Sequence, residues 1–290
     1  MAKNVMKERF IKRLHQGIKD NPDIASLSPE SGDGNWHFLS PDCRYAKLLQ
    51  AEAKARSNGR ASVYDALARE FVSKTAAPAR ILSLASSARC GYEFFARRKG
   101  SKLNVTLLSQ GGAPAELHPE GEPEFERLLG IADKKGALIP GAFAHLSLYF
   151  STPTYKGVYV DGECMEVFNS QKFAFEDAMN NEAYKDSTLR KCLDEVYEAI
   201  AFDEEGAFKN PRFPFVKFVK QAYALCSIAD RPIPCLLLYA YFVPKEMGEF
   251  REVYDAIESD MATACRIVEK YLRLSQRKID VGYFEVPVEF

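Results

Sequence analysis

Apolar positions in the first part of the chain recur at helical spacing. Met6, Phe10, Leu14 and Ile18 fall at i, i+4, i+8 and i+12, with basic residues between them, which predicts an amphipathic helix over 3–19. "SPESGDGNW" (28–36) reads as a loop. A second helix starts near Ser40, with Pro41 at its first position, and runs to about Arg56. A third covers Ala61–Lys74 and ends at "TAAPAR". The pattern changes near residue 80, which sets two expected regions: an N-terminal helical region, 1–79, packed on a core domain, 80–290.

The core domain opens with "ILSLASSARCGYEFFARRKG", a helix closed by Gly100. "KLNVTLLS" (102–109) alternates and predicts a strand. Residues 110–141 are rich in Gly, Pro and Glu, with one short helix expected near "EPEFERLLG". "FAHLSLYF" (143–150) and "YKGVYVDGECMEVF" (155–168) predict two further strands. Polar residues with a helical period fill 172–200, and "RFPFVKFVKQAYALCSIAD" (212–230) predicts an amphipathic helix. "CLLLYAYFV" (235–243) predicts a fully buried strand, 249–274 a long helix and "VGYFEVPV" (281–288) a last strand. Three consecutive strands imply antiparallel or mixed pairing, and the later helix–strand units add parallel crossovers. The class is therefore α/β.

Composition adds little to this picture. With 47% hydrophobic and 27% charged residues, the 290-residue chain has the balance of a soluble globular protein. A formal charge of −1 supplies no global field for nucleic acid, so any such binding needs a local basic patch. The seven cysteines are scattered and include no C-x-x-C, which points to reduced core thiols in a cytoplasmic protein. The N-terminus lacks the apolar stretch of a signal peptide, and the longest apolar run is too short to span a bilayer, so no membrane role is expected.

Candidate chemistry concentrates in "VDGECMEVFNSQKF" (160–173), where Asp161, Glu163 and Glu166 lie within six residues. The cluster reads as a metal site, the remains of one, or a solvated strand end. Residues i and i+2 of a strand share a face, so Asp161 and Glu163 point the same way and Cys164 points to the other. His145, two residues before Ser147 in the preceding strand, has the same relation to it. Joined to the acidic pair, it makes an imidazole–carboxylate set suited to Mn²⁺, Fe²⁺ or Zn²⁺. Its alternative role is a hydrogen-bonded histidine on the sheet. Arg89, Arg97, Arg98, Lys99 and Lys102 cluster where a helix ends and a strand begins. They read either as cations complementing a helix C-terminus or as a phosphate-contacting patch. No G-x-S-x-G surrounds Ser86 or Ser87, which argues against a serine hydrolase.

Four stretches, "LASSARC" (84–90), "AHLSLYF" (144–150), "VDGECMEVFNSQK" (160–172) and "PCLLLYAYF" (234–242), stand in an order that resembles the PD-(D/E)XK nuclease-like superfamily. Within it they resemble a bacterial group related to putative restriction endonucleases, over roughly residues 80–245. The resemblance implies an αβββαβ core and a site of two acids and a lysine holding Mg²⁺ or Mn²⁺ for phosphodiester hydrolysis. In this chain the first acid falls on Ser147, the second on Asp161 and the lysine on Glu163, so the D…E-x-K pattern reads S…D-x-E. Some restriction enzymes of the superfamily tolerate a glutamate in the lysine position. A neutral hydroxyl is a poor Mg²⁺ anchor, because that ion favours oxygen ligands with charge. Glu166 and Lys172 match the group's later glutamate and lysine, and Gln221 falls near the place of an auxiliary polar residue.

The resemblance therefore implies a catalytically impaired nuclease-like protein that binds nucleic acid or a partner. The alternative is an active divalent-metal-dependent endonuclease using a rearranged His145, Asp161 and Glu163 site. A third reading is an α/β protein with an accidental likeness. What separates them is whether these side chains share an open cleft lined by basic residues.

Overall fold

The computed structural model describes residues 102–133, 135–163, 172–185, 187–201, 208, 214–228, 233–244, 248 and 251–288. The expected N-terminal helices and the cluster Arg89, Arg97, Arg98 and Lys99 lie outside these residues, as does Glu166.

Among the described residues, seven strands form one mixed sheet in the order β2-β1-β7-β6-β5-β4-β3. They are β1 (Leu103–Leu107), β2 (Ala113–Leu117), β3 (Glu120–Ala132), β4 (Leu138–Ser151), β5 (Gly157–Glu163), β6 (Cys235–Pro244) and β7 (Ile279–Val288). The helices are α1 (Lys172–Met179), α2 (Thr188–Ala201), α3 (Phe215–Ser227) and α4 (Arg251–Leu272). The chain is thus α/β. The sheet divides into an antiparallel meander, β3-β4-β5, and a parallel set, β5-β6-β7. The step from β5 to β6 runs through α1, α2 and α3, and the step from β6 to β7 through α4. Both steps move the same way across the sheet, so right-handed crossovers put these helices on one face. Packing of α2 against both α3 and α4 agrees with that.

The central strand carries the core. Leu236, Leu237, Leu238, Tyr239 and Ala240 of β6 are all fully buried, because β6 has parallel neighbours on both sides and both of its faces are covered. Truncating one of these leucines to alanine is expected to cost about 2–5 kcal/mol. β1 joins the parallel set from the other side, Thr106 pairing with Tyr283. That approach is close: a Cβ on Gly282 would lie 2.5 Å from the Thr106 carbonyl oxygen. A side chain there would push β1 off the sheet.

Two expectations need correction. The short helix near "EPEFERLLG" is strand β3, paired with β4 from Glu120 to Ala132. Glu, Arg and Leu favour a helix locally, but Leu129 and Ile131 alternate into the core, and pairing along the whole of β3 outweighs the local propensity. The strand at 102–109 is not the first of the three-stranded run, because β1 pairs with β2 and β7. The run is β3-β4-β5, displaced by the two strands that the Gly/Pro-rich segment contains. The helical period over 172–200 divides into α1 and α2, with a 3-10 turn between them that begins where Asn181 Oδ1 accepts the Ala183 N–H.

Candidate functional site

The antiparallel register of β4 and β5, with Leu148 opposite Val160, brings Ser147 across from Asp161. The parallel register of β5 and β6 sets Tyr239 beside Asp161 on the other flank. Helix α3 passes over this point. Lys217 and Gln221 are four residues apart, hence one turn apart on one side of the helix, and both reach the sheet.

Each oxygen of Asp161 receives two donors. Ser147 Oγ donates to Oδ1 at 3.2 Å and the Gly162 N–H donates to the same oxygen at 3.1 Å. Gln221 Nε2 donates to Oδ2 at 2.8 Å, and the Lys217 ammonium lies 2.5 Å from Oδ2. Gln221 is itself held three ways. Its amide also donates to the His145 carbonyl at 2.7 Å, and its Oε1 accepts the hydroxyl of Tyr239. A flipped amide would set its oxygen against two acceptors, so the network fixes its orientation. The Tyr239 ring is braced edge-on by Phe218, 5.7 Å between centroids.

Ser147, Asp161, Gln221 and Tyr239 are all fully buried, while the Lys217 side chain keeps 29% of its surface. Burying a lone carboxylate is costly, and an adjacent ammonium with well-placed hydrogen bonds offsets that cost. An ionised carboxylate has about four lone-pair positions. Here every one is taken, so a divalent cation can bind Asp161 only by displacing a donor. Among the described residues, no three His, Cys, Asp or Glu side chains gather as a metal-holding group. The arrangement around Asp161 therefore does not fit a divalent cation as it stands.

The other expected residues distribute as follows. His145 is half-buried and joins the network through its backbone carbonyl. Glu163 ends β5 and pairs with Tyr241, and Lys172 opens α1. Lys102 forms an exposed ion pair with Glu116 of β2 at 2.9 Å. The described cysteines are free thiols, and burial pushes Cys192 and Cys265 up to about 12 and Cys226 up to about 11, which favours the protonated form.

Sequence reasoning misses Lys217 and Tyr239. The signal for Lys217 is present in "VKFVKQAYAL", where Lys217 and Gln221 share helical spacing on a helix whose other positions are mostly apolar. Nothing local says which strand they meet. No protein-family model, curated protein or solved structure matches the chain. No described helix is long and apolar enough to cross a membrane.

Proposed function

We propose that this chain is a nuclease-like α/β protein without efficient catalysis, acting by binding nucleic acid or a protein partner. One observation carries the reading: the buried Asp161 carboxylate has all its lone pairs engaged, two of them by Gln221 and the Lys217 ammonium. In a metal-dependent phosphodiesterase that carboxylate holds the ion that activates water and polarises phosphate. Here an internal cation takes the place of the ion. The β3-β4-β5 meander followed by a helical crossover to a parallel β6 supports the nuclease-like core. It is the connectivity that the PD-(D/E)XK resemblance calls for in its βββαβ part.

The competing reading is a working endonuclease, and one feature favours it. A carboxylate in contact with a lysine is a pair that such chemistry uses, the lysine positioning water and offsetting developing charge. Cleavage by this route requires Asp161 to exchange the Ser147 or Gln221 donor for a metal, with Glu163 and His145 as further ligands.

Plasmid and oligonucleotide cleavage with Mg²⁺ and with Mn²⁺, run beside fluorescence-anisotropy binding at two salt concentrations, separates the readings. The expected result is no cleavage above background, with binding that weakens as salt rises if the ligand is nucleic acid. Mg²⁺- or Mn²⁺-dependent cleavage lost in Asp161→Asn overturns the proposal. Absence of both cleavage and nucleic-acid binding leaves a protein partner as the ligand.

A further inference from the structure

The four described donors to Asp161 are not held alike. Ser147 and Gln221 are fully buried, and the Gly162 N–H belongs to the backbone of β5, which pairs along its length with β6. Of the four, Lys217 alone carries a formal charge, and 29% of its side chain is exposed. Helix α3 itself is fixed, since Phe218 and Val219 beside Lys217 are fully buried. The lysine head, in contrast, rides on a flexible four-carbon stem. Its ammonium is therefore the one donor that can leave Asp161 without disturbing the core.

Loss of that ammonium has a definite electrostatic consequence. Oδ2 keeps the Gln221 amide, and Oδ1 keeps the Ser147 hydroxyl and the Gly162 N–H. Hydrogen bonds to the charged form favour that form, so these donors work against protonation of the carboxyl. A carboxylate that stays ionised in a buried place needs a cation. Neutral oxygens stand around the same point: the Ser147 hydroxyl, and the His145 carbonyl and Tyr239 hydroxyl, both bonded to Gln221. One carboxylate, neutral oxygens and water make a donor set for a hard divalent ion.

We infer that Lys217 is the group that keeps divalent cations off Asp161, so that removing its charge turns the same place into a cation site. This rests on the reading of Asp161 that carries the proposed function, and it adds how the exclusion works. The ammonium competes with the ion for one oxygen, Oδ2, where it lies at 2.5 Å. The exclusion is one of charge, so an arginine at position 217 should exclude the ion as well, whereas an uncharged side chain of similar length should admit it.

Mn²⁺ binding to the full chain, counted by electron paramagnetic resonance, tests it. The variants are Lys217→Met, Lys217→Arg and Lys217→Met combined with Asp161→Asn, the last setting the background. The expected result is one Mn²⁺ per Lys217→Met chain above that background, and none for the wild type or Lys217→Arg. Stability gives a second readout. About 1 mM Mn²⁺ should raise the folding equilibrium constant of Lys217→Met at least about ten-fold, as for a Kd of about 100 µM or tighter, and leave the double variant unchanged. If Lys217→Met is unfolded by itself, the same Mn²⁺ should fold it, read by circular dichroism. A Lys217→Met chain that neither binds Mn²⁺ nor is stabilised by it overturns this inference alone, as does Lys217→Arg binding the ion equally well. A wild type that binds Mn²⁺ through Asp161 overturns it together with the observation behind the proposed function.

Discussion

Two aspartates in this sheet solve the same problem in different ways. Asp161 on β5 is fully buried and is met by a lysine as well as by neutral donors. Asp280 on β7 is half-buried and is held by neutral groups: Tyr155 Oη at 2.7 Å, Ser109 Oγ at 2.9 Å and Gln110 Nε2 at 3.2 Å. Partial exposure lets water share the charge of Asp280, so hydroxyl and amide donors suffice. Complete burial removes water from Asp161, and a formal positive charge is needed. The difference teaches that the depth of burial decides whether an aspartate in this sheet takes a cationic partner.

The largest effect should come from removing that charge. Lys217→Ala should destabilise the protein by about 3 kcal/mol in denaturant melts, at the lower end for a broken buried pair because Lys217 is partly exposed. Replacing both partners with apolar residues, Asp161→Leu with Lys217→Met, should recover much of the loss. A smaller cost, about 1–3 kcal/mol, is expected for Gln221→Ala, which removes hydrogen bonds to Asp161, the His145 carbonyl and the Tyr239 hydroxyl. At the other aspartate, Tyr155→Phe should cost only about 1 kcal/mol, since Asp280 retains two other side-chain donors and water. A Tyr155→Phe penalty as large as that of Lys217→Ala would break the comparison.

The smallest effect is one of pH. Hydrogen bonds first from Lys270 and then from Tyr271 hold the Glu195 carboxyl below its usual range, linking α2 to α4. A lowered folded-state value means that the stabilisation is complete above the unfolded value, about 4.3, and is lost as pH falls through the folded one. Melts between pH 6 and about pH 3 should therefore show an acid-side loss that shrinks in Glu195→Gln. Because Glu195 is partly exposed, added salt should reduce the difference.

Much of this architecture is legible in the chain. Alternation locates β1, β4 and β5, and the uniform apolar run locates β6, because burial on one face or on two leaves a direct trace in the residue pattern. β3 is not legible, since its glutamates, arginine and leucines suit a helix and its strand form depends on pairing with β4. The site divides in the same manner. Ser147, Asp161 and Gln221 stand out through the family resemblance. Lys217 does not, because its partner is 56 residues away in sequence and only the packing of α3 over β5 joins them.

The coupling free energy between Asp161 and Lys217 tests the central claim most directly. It is read from denaturant melts of the wild type, Asp161→Asn, Lys217→Met and the double variant, all in the presence of a chelator. If Lys217 supplies the charge that the buried carboxylate needs, the two substitutions should be strongly non-additive, with a coupling of about 2–3 kcal/mol. Additivity within about 0.5 kcal/mol would show that the lysine does not neutralise Asp161 and would contradict the account.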